Sequence, residues 1–308
     1  MSRGGDGEGG ENGKRGEGRE NRRDGEAGIG DAGRLRSAVA SPRGSAPGNG
    51  FLGDVWTNFK RWNLKAVRNP FVLVVSLLNP VIFLVLFTEV FGQVATGAIG
   101  GGGVDYVSFL MPAIVIQVAL VAAATSGIGL VQDIEDGMFE KVLVSPMSRV
   151  GVFAGKTLSE VLRISVQATL ILGLGTLLGA RIATGLPGAI AIVGIAIVFS
   201  VWFTAFSNVV AIKTRNSEAT IIAANVLQLP LLFVSSAFLP VEILPGWIRA
   251  ISGVNPITYG VDAARALVLD GWAWETILPS LAVLLALDLA FASIAVYYLD
   301  RASSATVD

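Results

Sequence analysis

The feature that most constrains this chain is a series of long apolar runs that begins at Phe71 and continues almost to the C-terminus. Each run is close to the roughly 20 helical residues needed to cross the hydrocarbon core of a bilayer. A backbone in that core has no water to bond, and a helix satisfies its own polar groups. Hydrophobic residues make up 52% of the chain and charged residues 15%, which is unusual for a soluble domain. The sequence therefore predicts an all-α membrane protein.

The apolar runs and their links predict the domain organisation. Six membrane-spanning helices are expected over residues 71–90, 106–131, 157–178, 189–212, 219–238 and 276–299. They form one predicted domain over residues 70–300, followed by a short cytoplasmic tail over residues 301–308. Residues 1–50 are different, because they are rich in Gly, Arg and Glu and contain no apolar surface to bury. That composition predicts a disordered cytoplasmic tail.

A predicted amphipathic helix over residues 51–69 precedes the first apolar run. Aromatic residues such as Phe59 and Trp62 recur at helical spacing, with Lys60 and Lys65 beside them. Aromatic rings and cations on one helix suit the headgroup layer of a membrane. We therefore expect an interfacial helix that lies in the membrane plane.

A short charged block separates the second and third apolar runs. We predict a helix over residues 134–144, with acidic residues at its N-terminal end, where the helix dipole favours them. Pro146 cannot continue that helix. Its predicted apolar face consists of Ile134, Met138, Phe139, Val142 and Leu143. A charged amphipathic helix is expected beside the bilayer, where it can contact a soluble partner.

The charges of the loops predict the orientation in a cell membrane. Ten basic residues fall on one side, namely Lys60, Arg61, Lys65, Arg68, Lys141, Arg149, Lys156, Lys213, Arg215 and Arg301. Three fall on the other side, namely Arg181, Arg249 and Arg265. The side richer in Lys and Arg is expected in the cytoplasm, which puts both termini and the charged block there.

The stretch between the fifth and sixth runs is too apolar for an ordinary loop and too often interrupted for a span. Pro245 suits the start of a short helix that Gly253 ends, and Pro256 suits the start of another. We predict two short re-entrant helices that dip into the outer leaflet. Their polar ends are tolerable there only when buried in protein or lining a cavity.

The residue types exclude several activities. The chain contains no Cys and no His, which removes thiolate chemistry and the commonest general base and metal ligand. The string G-V-F-A-G-K-T at residues 151–157 has three residues between its glycines, where a phosphate-binding loop needs four. An apolar run follows it directly. We therefore expect no bound cofactor, no nucleic acid and no ATP hydrolysis by this chain.

Two motifs resemble those of permease subunits of ATP-binding-cassette transporters of the type-2 exporter class. One is E-D-G-M-F-E-K-V-L-V-S-P at residues 135–146, followed by G-K at residues 155–156. The other is F-L-P-V-E-I-L-P-G-W at residues 238–247, followed by N-P-I-T-Y-G-V-D-A-A-R at residues 255–265. The branch that it resembles most contains the daunorubicin-resistance and lipo-oligosaccharide exporters.

The resemblance implies functional residues and partners. On the cytoplasmic side it implies a coupling helix that includes Glu135, Gly137, Glu140 and Pro146. The implied outer motif comprises Pro240, Pro245, Gly246, Trp247, Asn255, Pro256, Tyr259 and Arg265. The implied partners are a cytoplasmic ATPase that binds ATP and magnesium, a second permease copy, membrane lipid and a small amphipathic or lipid-like substrate. The chain would then be a non-catalytic transport subunit.

Polar residues inside the predicted spans leave an alternative open. Asp288 falls near the middle of the last span and Glu89 near the end of the first, while Asn79 lies beside Pro80. Ionisable groups in a membrane often mark ion pathways. An ion-coupled secondary transporter or a channel that uses Asp288 and Glu89 is therefore the second hypothesis.

Overall fold

The computed structural model describes residues 50–68, 70–98, 105–137 and 149–304 of the 308-residue chain. The described residues contain nine α-helices, one short 3-10 helix and no strand, which confirms the predicted all-helical class. They fall within one compact unit, residues 48–308. Residues 1–49 of the predicted disordered tail lie outside the described residues, as do residues 305–308. Gly50, the last residue of that predicted tail, instead begins the first helix.

The helices follow the apolar runs closely. Their bounds are α1 Gly50–Arg68, α2 Pro70–Ala98, α3 Tyr106–Glu135, α4 Arg149–Leu177, α5 Gly185–Thr214, α6 Ser217–Phe233, the 3-10 helix Val241–Ile243, α7 Gly246–Ser252, α8 Pro256–Leu269 and α9 Trp274–Ser304.

Five helices are long and apolar enough to cross a membrane. The qualifying segments are Val74–Gly92, Tyr106–Glu135, Ala154–Leu177, Gly185–Thr214 and Trp274–Ala295. The fifth predicted span differs, because α6 has 17 residues and ends at Phe233 instead of continuing to residue 238. Beyond the helix end, the backbone carbonyls of Ser236 and Ala237 accept hydrogen bonds from Arg265 instead of closing a further helical turn.

Helix α3 forms the centre of the bundle. It packs against α2, α4, α5, α6 and α8. Of an apolar 18-residue stretch of this helix, long enough to cross a membrane, 94% is buried inside the protein. Gly127 lets α5 approach closely, because a Cβ there would overlap Ser207. The hydroxyl of Ser207 accepts a bond from the Gly127 amide at 3.1 Å and donates to the Ala124 carbonyl at 2.7 Å. A polar side chain in this apolar contact therefore joins two helices.

The two ends of α3 meet different elements. Near Tyr106, the Phe109 carbonyl contacts Arg265 of α8, and Ser108 accepts a bond from the Arg181 amide. Near Glu135, Asp133 contacts Arg61 of α1, and Lys156 of α4 bonds to Ser126. Arg181 and Arg265, predicted on one side of the membrane, therefore lie at the opposite end of the bundle from Arg61 and Lys156, predicted on the other side.

Helix α1 packs on α4 through polar residues. Its buried residues are Asp54 and Asn58, whereas Leu52 is 79% exposed and Val67 is 70% exposed. Gly155 of α4 makes this contact possible, since a Cβ there would lie 2.7 Å from Asn58 Cβ. Helix α1 is thus amphipathic, as predicted, but the face that it buries in the protein is the polar one.

Candidate functional site

The predicted coupling helix has a different beginning from the one expected. Ile134 and Glu135 are the last residues of α3, and Asp136 and Gly137 form a turn. Gly137 has a φ of +65°, a left-handed conformation that glycine adopts without strain. The prediction of one continuous helix over residues 134–144 is therefore wrong at its start. Met138, Phe139, Glu140, Val142, Leu143 and Pro146 lie outside the described residues.

The acidic residues before this turn lie at the C-terminal end of α3, not at a helix N-terminus. A carboxylate there opposes the helix dipole. Asp133 receives compensation from α1, because Arg61 Nη2 lies 2.9 Å from Asp133 Oδ2 and Lys65 Nζ lies 4.0 Å from Oδ1. Lys65 also donates to the Gln132 side chain at 3.4 Å. These contacts hold the end of α3 against α1.

A buried polar cluster joins α3, α4 and α5 near the same end. Lys156 Nζ donates to the Ser126 carbonyl at 3.0 Å, to Ser126 Oγ at 2.9 Å and to Asn208 Oδ1 at 3.3 Å. It also pairs with Glu160 at 3.4 Å, and its side chain is only 7% exposed. Ser126 in turn donates to Glu160. The ammonium is therefore fully bonded, as a buried charge requires.

Sequence reasoning missed part of this cluster. Lys156, Glu160 and Arg163 repeat at helical spacing, which predicts an ion-pair ladder on α4. The Lys156–Glu160 pair is present, but Arg163 has no ion-pair partner among the described residues. Ser126 and Asn208 come from other helices, and the only signal for them is that polar residues interrupt apolar runs.

The outer motif is organised around Arg265 of α8. Its guanidinium donates from Nε to the Phe109 carbonyl at 3.2 Å and from Nη2 to the carbonyls of Ser236 and Ala237 at 2.8 and 3.3 Å. It also lies 3.7 Å from the centre of the Phe109 ring. Burial lowers the pKa of Arg265 to about 10, so the side chain stays charged at neutral pH. Arg265 thus ties α8, α3 and the chain after α6 together.

Asn255 and Tyr259 shape the start of α8. Asn255 Oδ1 accepts a bond from the Ile257 amide at 2.9 Å, and Nδ2 donates to the Leu231 carbonyl at 2.6 Å. The Tyr259 hydroxyl donates to the Gly253 carbonyl at 2.6 Å. These bonds cap α8 and fix it against α6 and α7.

The prolines of this motif set helix starts, as the sequence predicts. Pro256 is the first residue of α8, Pro245 precedes α7, and Pro240 precedes the 3-10 helix. Gly246 begins α7. Trp247 is 65% exposed and packs little against the protein. The motif therefore forms two short helices, and Arg265, Asn255 and Tyr259 supply its side-chain bonds.

The polar residues of the alternative hypothesis do not come together. Asp288 is buried on α9, three residues before Phe291, whose ring contacts Trp202 of α5. Its Oδ1 atom has no hydrogen-bond partner. Glu89 and Asn79 are exposed on α2, which packs mainly on α3. The structure thus brings no pair of these groups into one site.

The long apolar helices packed around α3 define a membrane-integral protein. Residues 53–269 match the ABC-2 type transporter family. That match covers well over half of the chain, and the chain belongs to this family. It is therefore a permease subunit of an ABC transporter, a kind of subunit that works with an ATPase subunit. The resemblance seen in the two motifs is confirmed.

Several curated proteins are similar to the chain. It is 32% identical over 202 residues to the daunorubicin resistance ABC transporter permease protein DrrB1 of Streptomyces coeruleorubidus, covering 65% of this chain and 69% of the relative. Identity is 29% over 220 residues to the putative transport permease ycf38 of Cyanophora paradoxa, covering 70% and 74%. The probable doxorubicin resistance permease DrrC of Mycobacterium tuberculosis is 22% identical over 211 residues, covering 68% and 74%.

Proposed function

We propose that this chain exports a small amphipathic compound, in the manner suggested by the drug-resistance names of its relatives, and that a separate cytoplasmic ATPase drives it. The ATPase docks on the segment between α3 and α4, where the coupling motif lies. ATP and magnesium bind to that partner. This chain contributes the membrane path and carries out no catalysis.

The observation that carries this proposal is the bonding on both sides of the coupling segment. Helix α3 enters it at Glu135, and α4 leaves it at Arg149. Lys156 and Ser126 bond these helices directly, and the Arg61–Asp133 pair adds α1. A force on the segment would therefore act on α1, α3 and α4 together. Packed helices with two discrete arrangements can convert such a push into opening on the far side.

We propose that the ATPase is a separate polypeptide, since the string in this sequence that resembles a phosphate-binding loop is helical. Residues 151–157 lie within α4, and Gly155 packs against α1. A phosphate-binding loop presents free backbone N–H groups in a loop before a helix. From Phe153 onward, the backbone N–H groups of this string are already used by the helix.

The proposed topology has six spans with both termini in the cytoplasm. Helix α6 is the short one, and its 17 residues reach about 26 Å at 1.5 Å per residue. This approaches the roughly 30 Å of the hydrocarbon core. It begins near Lys213 and Arg215 and ends beside Asn255 of the outer motif. The excess of basic residues at the Glu135 end supports a cytoplasmic position for that end.

A second permease copy is proposed to complete the pathway. The side chains of α2 and α9 leave large apolar areas uncovered. Of the apolar 18-residue stretch that could cross a membrane, only 11% is buried in α2 and 22% in α9. In a membrane, lipid or a second copy covers such surfaces. We propose that part of this area forms the contact between two copies.

The direct test is a mild-detergent pull-down of the full-length chain from its native membranes. A soluble ATPase is expected to copurify, and Glu140→Arg or Glu135→Arg is expected to release it by reversing a charge at the docking segment. Glu275→Arg is the matched control, because Glu275 is an exposed acid in the first turn of α9, at the other end of the bundle. Absence of any ATPase with the unaltered chain would remove the proposed mechanism.

A further inference from the structure

A cavity of about 320 Å³ lies at the junction of α1, α3 and α4. Trp62 and Lys65 line it from α1, Thr125 and Gly129 from α3, and Glu160 and Arg163 from α4. At roughly 30 Å³ per molecule, the cavity has room for about ten waters. It can therefore hold a polar headgroup, while any attached acyl chains would have to remain in the bilayer.

The charged groups around this cavity are unbalanced. Its lining includes the cations Lys65, Lys156 and Arg163 and one acid, Glu160. Glu160 pairs with Lys156. Asp133, which is near Lys65, has its closer contact with Arg61, at 2.9 Å against 4.0 Å. Lys65 and Arg163 therefore leave an excess of positive charge in the cavity wall.

Arg163 is the residue that most directly indicates an anion-binding role for this cavity. Its Nη2 atom donates to the Ala122 carbonyl at 2.7 Å and to Thr125 Oγ1 at 3.1 Å. Its Nε atom is buried and has no hydrogen-bond partner. Among the described residues no carboxylate lies within ion-pair distance of the guanidinium, and Glu160, whose charge also acts on Arg163, is already paired with Lys156. A guanidinium in a membrane-spanning helix is costly unless it is paired. Its planar donors match the oxygens of a phosphate.

Trp62 gives the cavity an amphipathic wall. Its ring lies over Gly129, where an added Cβ would come within 3.1 Å of the indole. The charged ends of Arg61, Lys65 and Lys156 lie 5.2, 5.1 and 5.6 Å from the ring centre. On either side of Lys65 and Ala66 in α1, Leu64 and Val67 are exposed apolar residues. An indole, clustered cations and exposed aliphatic side chains suit the boundary between headgroups and acyl chains.

We propose that the cavity between α1, α3 and α4 binds the headgroup of an anionic phospholipid, whose phosphate contacts Arg163 and Lys65 while its acyl chains lie along the apolar face of α1. The lipid would supply the anion that Arg163 lacks. It would also hold α1 against α3 and α4 beside the coupling segment. This site requires only that the chain spans a membrane, so it is independent of the proposed ATPase and substrate.

The test titrates the purified full-length chain in detergent with phosphatidylglycerol and measures its thermal unfolding. Phosphatidylglycerol is expected to raise the midpoint, and phosphatidylcholine with the same acyl chains is expected to do so far less. Arg163→Gln is expected to weaken the apparent affinity for phosphatidylglycerol at least about tenfold, as loss of charge-assisted bonds implies. Arg249→Gln is the matched control, because Arg249 is exposed at the other end of the bundle; it should leave that affinity unchanged.

Further arms separate the sources of the phosphate and guard against misfolding. Inorganic phosphate at the same concentration should give no shift, since it lacks the acyl chains; an equal shift would mean that free phosphate is the ligand and would overturn the lipid proposal. If Arg163→Gln does not fold, Lys65→Gln replaces it, because Lys65 is half-exposed, and a severalfold weaker response is expected. Equal responses to the two lipids, or an unchanged response in the variant that folds, would overturn the site.

Discussion

Replacement of the buried Arg265 by methionine should destabilise the protein more than the same Arg→Met change at any exposed position. Methionine keeps an unbranched apolar stem and removes the guanidinium. Three backbone carbonyls, those of Phe109, Ser236 and Ala237, would then lose a charged donor inside the bundle. The Asp262 carboxylate, whose Oδ1 lies 3.5 Å from Nη1, would lose its cation.

The magnitude follows from these contacts. A hydrogen bond to a charged group contributes about 1.5–3 kcal/mol, and removing one member of a buried charged network costs about 3–5 kcal/mol. The Asp262 pair adds little, because its carboxylate is 36% exposed. We therefore expect a loss of about 3–5 kcal/mol in the free energy of unfolding. With an unfolding entropy of about 2.1 cal/mol/K per residue, a unit of this size would show a fall in Tm of about 5–9 °C.

The assay is thermal unfolding of the purified full-length variants in one detergent, followed by far-ultraviolet circular dichroism. Arg249→Met is the matched control, since Arg249 also donates to backbone carbonyls, those of Val241, Glu242 and Leu244, but is exposed. Its expected cost is below about 1 kcal/mol. The reasoning is refuted if Arg265→Met melts within the range of the control variant.

Three other substitutions test separate contacts. Gly155→Leu should separate α1 from α4 by overpacking, at a cost of about 1–3 kcal/mol, and the separation should be detected as faster proteolysis of α1. Gly173→Leu on the same helix is the control and should have little effect, because no other atom lies within 4 Å of a Cβ added at Gly173. Gly137→Ala should reduce ATP-driven transport severalfold, since a left-handed conformation at +65° costs a residue with a Cβ about 1–2 kcal/mol; unchanged transport would contradict a structural need for this turn. Asp288→Asn should retain transport and change stability by no more than about 2 kcal/mol, whereas loss of transport with normal folding would favour ion coupling.

The helices were predictable because their signals are local. A run of about 20 apolar residues can satisfy its backbone in a bilayer only as a helix, so α3, α5 and α9 follow directly from composition. The starts of α7 and α8 were equally clear, because Pro245 and Pro256 fix the backbone φ angle wherever they occur.

The polar contacts between helices could not be predicted in the same way. Lys156 and Asn208 are 52 residues apart, and Arg265 and Phe109 are 156 apart. No periodicity connects such positions, since packing alone decides which helices meet. The end of α3 was missed for a related reason: the stretch around Ile134 has helical spacing, but Gly137 turns the chain. For α1, the sequence indicated an amphipathic helix and gave no sign that α4 would contact its polar face.

The most direct measurement is transport into inside-out membrane vesicles that contain the chain and its copurifying ATPase, with daunorubicin as the probe. ATP should drive accumulation of the probe, and collapse of the proton gradient should leave that accumulation intact. Glu140→Arg should abolish it, and Asp288→Asn should not. Accumulation that needs an ion gradient, proceeds without the ATPase and disappears in Asp288→Asn would contradict ATP-driven export and establish ion coupling instead.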